Sequence, residues 1–297
     1  MDAIDKVLFC LPERARRALG DFFAGALDRK KVTELRFRAG MPASVTYEQR
    51  NVSLFGGREI VFSEAEMRSI LARLCEESVH TYGSTINEGY VTLAGGLRIG
   101  VCGKAVSDGA RVLNVREIST IAVRIPQAIT GVSAEILPLI LKGQRIYSAL
   151  LYSLPGVGKT TLVRDISAKI GAKRRVAVVD SRGEIYMPEM FAHSLCDFLD
   201  GYPKGMGIEL ATRTLSPEVI VCDEIGEGES EKILAVQNTG VPLIATAHGG
   251  ALSALLLRPG IKKLYDAGVF RYYIGVSRPV GSAGYNFEVM DSSGVRV

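Results

Sequence analysis

The apolar positions of this chain follow two different rhythms, and the change between them falls near residue 130. In the first stretch the spacing is mixed. Pro12-Glu13 opens a segment with Ala15, Ala18, Leu19, Phe22 and Phe23 at helical intervals, so the chain up to about residue 30 is predicted helical. Residues 33–62 alternate apolar with polar and carry turn signals at Gly40, 49–51 and Gly56-Gly57, which predicts short strands. Ser63-Glu64-Ala65-Glu66 is a capping box ahead of Met67, Ile70, Leu71, Leu74 and Cys75, one face of a helix. A second helix is expected over 78–87. Residues 90–93 and 97–102 flank Gly95-Gly96 and read as a hairpin with a two-residue turn. Gly100 and Gly103 are packing or bulge positions, and 119–125 is a further strand.

Beyond that point the apolar residues run continuously, at 146–152, 176–179, 219–222 and 243–245, with predicted helices between them at 160–170, 205–215 and 229–239. Unbroken apolar strands alternating with helices imply a parallel sheet covered on both faces. The expected architecture is therefore an α/β domain with a parallel sheet at 145–297, preceded by a smaller α+β domain at 1–130, with 131–144 as a linking helix and loop. A length of 297 residues agrees, being too long for one ordinary core.

Composition changes this picture little. Hydrophobic residues make up 47% and charged residues 23%, and 36 basic residues against 32 acidic leave a net charge of +4, too weak to signal nucleic-acid binding. The five cysteines form no C-x-x-C pair and read as small buried hydrophobes in a reducing compartment. Two acids in the first five residues argue against a signal peptide, and the apolar runs fall far short of the roughly 20 residues that cross a bilayer. A cytoplasmic protein without direct membrane insertion is expected, able to dock peripherally through partners.

The chemistry lies in the second half. Ser153-Leu154-Pro155-Gly156-Val157-Gly158-Lys159-Thr160-Thr161 follows a buried strand and opens an apolar helix. It matches the phosphate-loop pattern G-x-x-x-x-G-K-[ST], with Ser153 in place of the first glycine. Gly156 and Gly158 let backbone N–H groups converge on phosphate oxygens, and the helix presents its positive N-terminus to them. Lys159 places a charge on the β- and γ-phosphates, and Thr160 offers a hydroxyl to Mg²⁺. A serine fits the first position if its φ is negative. ATP is the expected substrate, while the choice between ATP and GTP stays open, since no guanine-specific N-K-x-D motif is visible and adenine contacts are mostly apolar.

Three further strand ends carry acids or a histidine. Residues 219–222 run into Asp223-Glu224, a Walker B arrangement in which Asp223 holds Mg²⁺ and Glu224 orients or deprotonates the attacking water. Residues 178–184 end another strand beside Asp180 and Glu184, which makes Glu184 a second candidate base. Ala245-Thr246-Ala247-His248-Gly249 ends a fourth, where His248 could sense the γ-phosphate or bridge to a neighbouring subunit. Arg213 on the helix before Asp223, and Arg98, Arg116 and Arg124 in the first half, are candidates for the positive charge that phosphoryl transfer needs.

With these residues the chain resembles the stage III sporulation branch of the secretion-type ATPases, which include type II and type IV secretion and type IV-pilus motors. The resemblance covers nearly the whole chain. It rests on the G-G-x-R-x-G core within 89–103, the phosphate loop continued by Thr161-Leu162-Val163-Arg164-Asp165, and 180–185. It rests also on Asp200-Gly201-Tyr202-Pro203-Lys204, on 213–226 and on the A-T-A-H-G run, with Arg258-Pro259 after it. It implies a RecA-like ATPase domain hinged to the N-terminal α+β domain, a homo-oligomer, expected as a hexamer, and nucleotide between the two domains. Glu184 would match a catalytic glutamate and His248 a His-box residue, while Arg98 and Arg124 would match arginines that reach across to phosphate. The implied partner is a membrane protein of a channel apparatus between mother cell and forespore. Ser153 and Ser181 depart from the family pattern and bear on turnover rate. Two other readings compete with the motor: a nucleotide-gated scaffold with little turnover, and a nucleic-acid-dependent RecA-like ATPase, against which the near-neutral charge counts.

Overall fold

Residues Met1–Gln127 and Ala128–Val297 form separate units in the computed structural model, which describes every residue except 1–2, 26–27, 55–59, 77, 94–95, 238 and 280–283. The expected Gly56-Gly57 turn and Gly95 of the Gly95-Gly96 turn lie outside the described residues.

The first unit runs α1 (Ala3–Cys10), α2 (Glu13–Gly25), β1 (Val32–Arg38), β2 (Met41–Tyr47), β3 (Arg50–Ser53), α3 (Glu64–Leu74), α4 (Gly83–Asn87), β4 (Tyr90–Leu93), β5 (Leu97–Ser107) and β6 (Val112–Arg124). Its strands form one antiparallel sheet in the order β3-β2-β1-β6-β5-β4. Alternation sends Leu35, Phe37, Val45, Ile99, Val101, Ile121 and Val123 into one core, where Met67, Ile70, Leu71 and Leu74 of α3 meet them. Each such side chain contributes roughly 1.5–3 kcal/mol on burial. The Ser63 capping box is formed, with the Glu66 N–H donating to Ser63 Oγ and the Ser63 N–H donating to Glu66. Two expectations shift. The 78–87 helix is a 3₁₀ turn at Val79–Tyr82 followed by the short α4. β6 begins at Val112 rather than 119, because its first residues pair with the outer half of β5. The pairing slips at Gly103, where a side chain would collide with the Arg116 carbonyl, so the bulge requires glycine.

The second unit continues with α5 (Leu137–Ile140), β7 (Leu141–Lys142), β8 (Arg145–Ile146), β9 (Ala149–Ser153), α6 (Lys159–Gly171), β10 (Val176–Asp180), α7 (Pro188–Phe191) and β11 (Cys196–Asp200). Then follow α8 (Lys204–Thr214), β12 (Val219–Glu224), α9 (Ser230–Gln237), β13 (Leu243–His248), α10 (Leu252–Leu255), α11 (Pro259–Asp266), β14 (Tyr272–Ser277) and β15 (Asn286–Asp291). The main sheet has the order β11-β10-β12-β13-β9-β14-β15, parallel throughout except for β15. β12 shows why these strands read as solid apolar runs. Val219 and Val221 enter the core shared with α6, while Ile220 and Cys222 enter the core shared with α8, α9 and α11. The edge strands β11 and β15 were not legible as such, because one side of each is half-exposed and carries polar residues.

Residues 131–144 are not a linker but part of this second unit. Ile136 and Ile140 are fully buried in its core. The buried carboxylate of Asp165 on α6 accepts from the Gly131 N–H at 3.0 Å, the Ser133 N–H at 2.9 Å and the Ser133 hydroxyl at 2.7 Å. A buried carboxylate needs such donors, and the segment supplies two from its backbone and one from the Ser133 hydroxyl.

Candidate functional site

The parallel strands β9, β10, β12 and β13 all end at one edge of the sheet, so the four polar strand ends found in the sequence come out side by side. Ser153 is the last residue of β9, pairs with His248 of β13, and is absent from the described non-glycine residues with positive φ. The serine therefore fits without backbone strain. Gly156 and Gly158 hold φ of 76° and 121°, which only glycine adopts readily. Leu154, Pro155 and Val157 complete the loop around them, and Lys159, Thr160 and Thr161 form the first turn of α6.

Lys159 is buried and folded back on the loop. Its ammonium donates to Ser153 O at 3.0 Å, Ser153 Oγ at 3.1 Å and Leu154 O at 3.2 Å, and lies 2.8 Å from His248 Nδ1. Burial lowers its pKa from the usual lysine value, and the Glu224 charge acts in the opposite direction. The other ring nitrogen, His248 Nε2, lies 2.9 Å from Glu224 Oε2. Since the lysine donates to Nδ1, the ring proton belongs on Nε2, facing the carboxylate.

Asp223 sits beside this row. Its Oδ2 accepts from the Ser181 hydroxyl at 3.0 Å. Its Oδ1 is buried, 3.3 Å from the Lys204 ammonium, but not aligned for a hydrogen bond with it. Burial raises the Asp223 pKa to about 6, against the pull of Lys204 and Ser181. An under-satisfied buried carboxylate oxygen beside the phosphate loop suits a divalent cation. Among the described residues no group of three or more His, Cys, Asp or Glu could hold a metal alone. Mg²⁺ takes one or two protein ligands and fills the rest with phosphate and water.

The remaining candidates are dispersed. Glu184 lies on a loop wrapped around Asp180, whose carboxylate accepts from the N–H groups of Glu184, Ile185 and Tyr186. Arg164 of α6 clamps the same loop by donating to the Ile185 and Glu184 carbonyls, and the Asp180 and Glu184 charges partly offset the cost of burying it. Arg213 is displaced from the site. α8 starts beside Glu224 at Lys204 and runs away from it, so Arg213 stands about 14 Å along the axis, exposed and paired with Glu209 one turn back. A helix returning to the start of the next parallel strand must end at the opposite sheet edge. Arg98 and Arg124 belong to the first unit, directly opposite each other on β5 and β6, and Arg116 faces Lys104 farther out.

Lys204, Ser181 and Arg164 also contact the site residues. In the sequence each lies within a motif, Lys204 at the end of Asp200–Lys204, Ser181 within 180–185 and Arg164 within Thr161–Asp165. A groove of about 1050 Å³ opens at the other edge of the sheet, among Tyr147, Glu218, Gln237 and Arg271, and holds none of these residues.

The strand order, the loop between β9 and α6, and the acids ending β12 define a RecA-like P-loop nucleoside triphosphatase fold with an α+β domain before it. The chain belongs to the family "Sporulation stage III, protein AA", whose profile matches residues 1–297. Stage III sporulation protein AA of Bacillus subtilis (strain 168) is 29% identical over 304 residues, covering 98% of this chain and 96% of that protein. Among solved structures, the ATPase DotB of Legionella pneumophila has a TM-score of 0.61 at 14% identity, over 95% of this chain and 82% of its own. The pilus retraction motor PilT, solved with bound ADP, has a TM-score of 0.62 at 17% identity, over 87% and 78%. The likeness to secretion-type ATPases is one of fold. Among the described residues no helix is long and apolar enough to cross a membrane.

Proposed function

We propose that this chain is a Mg²⁺-dependent ATPase, working as the motor of a channel apparatus between mother cell and forespore. The observation that carries the reading is the row Lys159–His248–Glu224, which joins the phosphate loop to a carboxylate at the end of β12. The ADP bound to PilT supports a nucleotide substrate.

In this reading the backbone N–H groups of 156–161 and the start of α6 receive the phosphates, and Lys159 turns from His248 to the β- and γ-phosphates. Thr160 and Asp223 hold Mg²⁺, which supplies positive charge to the phosphate oxygens when bound. Glu224, oriented by His248, takes the proton of the attacking water, with Glu184 as the alternative base. Closure and release around nucleotide drive motion within a homo-oligomer, expected as a hexamer, that docks on a membrane partner from the cytoplasmic side.

The test is Mg²⁺-dependent phosphate release by the wild type, Lys159→Ala, Glu184→Gln and Glu224→Gln. Lys159→Ala is expected to lose turnover, and a wild-type rate in it would sink the assignment. Whichever glutamine variant loses turnover while still binding ATP identifies the base. The four-acceptor hold on Lys159 favours one alternative, a nucleotide-gated scaffold. Tight ATP binding without phosphate release, even with partners present, would support it.

A further inference from the structure

β9 has two neighbours in the sheet, β13 on one side and β14 on the other. Lys159 leans toward β13, where His248 and Glu224 stand, with Asp223 beside Glu224 at the end of β12. The groups that would act on a terminal phosphate therefore all lie on one flank of the loop. With its terminal phosphate on the β13 flank, an extended nucleotide has the β14 flank open to its nucleoside end.

That flank is not bare. β14 runs parallel to β9 with Gly275 opposite Tyr152, so the chain after β14 emerges at the same edge as the loop. Arg278 follows β14, and Tyr285 immediately precedes β15. The Tyr285 ring rests against the loop itself. A side chain on Gly158 would collide with the Tyr285 hydroxyl, and the ring carbon bearing that hydroxyl would be only 2.9 Å from the added atom. The Arg278 guanidinium lies over the Tyr285 ring, 4.7 Å from its centroid, and donates to the Tyr285 hydroxyl at 2.9 Å. Phe287 stands on the strand beyond, its ring centroid 6.1 Å from that of Tyr285. Tyr285 is half-buried and Arg278 exposed. Together they present a flat π-surface and a delocalised cation beside the loop, on the flank open to a nucleoside.

Resting on the nucleotide reading above, we infer that Tyr285 and Arg278 form the subsite for the base and ribose of a nucleoside triphosphate. Arg278 and the Tyr285 ring offer stacking, and the Tyr285 hydroxyl offers a hydrogen bond to the ribose. Stacking on an aromatic ring or a guanidinium plane tolerates any base, because every base has a π-face. The subsite therefore raises affinity for nucleosides in general and separates ATP from GTP only weakly.

Calorimetric titration of the full-length protein with ATP, GTP and inorganic triphosphate, each with Mg²⁺, tests this. Tyr285→Ala is expected to weaken ATP and GTP alike by about 10-fold while inorganic triphosphate stays within about 2-fold. Arg278→Ala should follow the same pattern with a smaller loss, and Tyr285→Phe should keep most of the affinity. Unaltered ATP affinity in both Tyr285→Ala and Arg278→Ala would overturn the subsite. So would an equal loss for triphosphate and ATP, since Tyr285 would then merely prop the loop at Gly158. Arg278→Ala decides the matter if Tyr285→Ala does not fold. If the wild type binds neither ATP nor triphosphate, or if Lys159→Ala binds both as well as the wild type, the nucleotide reading itself fails and the subsite with it.

Discussion

His248 accepts from Lys159 at 2.8 Å through Nδ1, and its other ring nitrogen is 2.9 Å from the Glu224 carboxylate. One imidazole thus links the lysine of the phosphate loop to the carboxylate proposed as base.

Replacing His248 by Ala should separate binding from chemistry. Lys159 keeps its contacts to Ser153 and Leu154, so KM for ATP should change by less than about 3-fold. Glu224 loses its orienting partner, and kcat should fall by about 100-fold, within the range of a misdirected general base. Steady-state kinetics distinguish the cases. A raised KM with an unaltered kcat would make His248 a binding residue instead.

Asp223 gives a pH signature. Its pKa is raised by burial to about 6, against about 3.9 in an unfolded chain. Between about pH 4 and 6 the folded protein holds a proton that the unfolded chain has released. This group's contribution to stability is therefore fully present below about pH 4 and is lost as pH rises through about 6, a swing of roughly 3 kcal/mol. Asp223→Asn should unfold at higher urea than the wild type at pH 7.5, and the gap should close toward pH 5. Mg²⁺ with ATP should narrow or reverse the gap at pH 7.5 by stabilising the wild type. A gap independent of pH would rule out Asp223 as its source.

Asp165 is the anchor of the 131–140 segment. Asp165→Ala removes three hydrogen bonds to a buried carboxylate, two of them from backbone N–H groups. The expected loss is about 3 kcal/mol in unfolding free energy, measured by urea denaturation. A loss below about 1 kcal/mol would mean that the segment is held by Ile136 and Ile140 alone.

Arg164 ties α6 to the loop that carries Glu184. A lysine reaches one carbonyl where the guanidinium fork reaches two, so Arg164→Lys should cost about 1–2 kcal/mol. The loss should be local, with faster amide hydrogen exchange at Glu184–Tyr186 than in β12. Unchanged protection there would show that Asp180 alone holds the loop.

Much of this protein is local and therefore legible. The Ser63 capping box, the glycines of the phosphate loop and the solid apolar runs of β9, β10, β12 and β13 are each set by neighbours a few residues apart. What the sequence could show was that Lys159, Asp223, Glu224 and His248 stand at strand ends. It could not show which strands are adjacent. The sheet places β13 between β9 and β12, and that order alone puts His248 between Lys159 and Glu224. The same packing carries Arg213 to the far edge with the end of α8, brings Lys204 to Asp223 with its start, and folds 131–144 onto Asp165. Side-chain pattern records how deeply each residue is buried. Which residues share a site depends on how whole strands and helices stack, a long-range choice that only the folded chain settles.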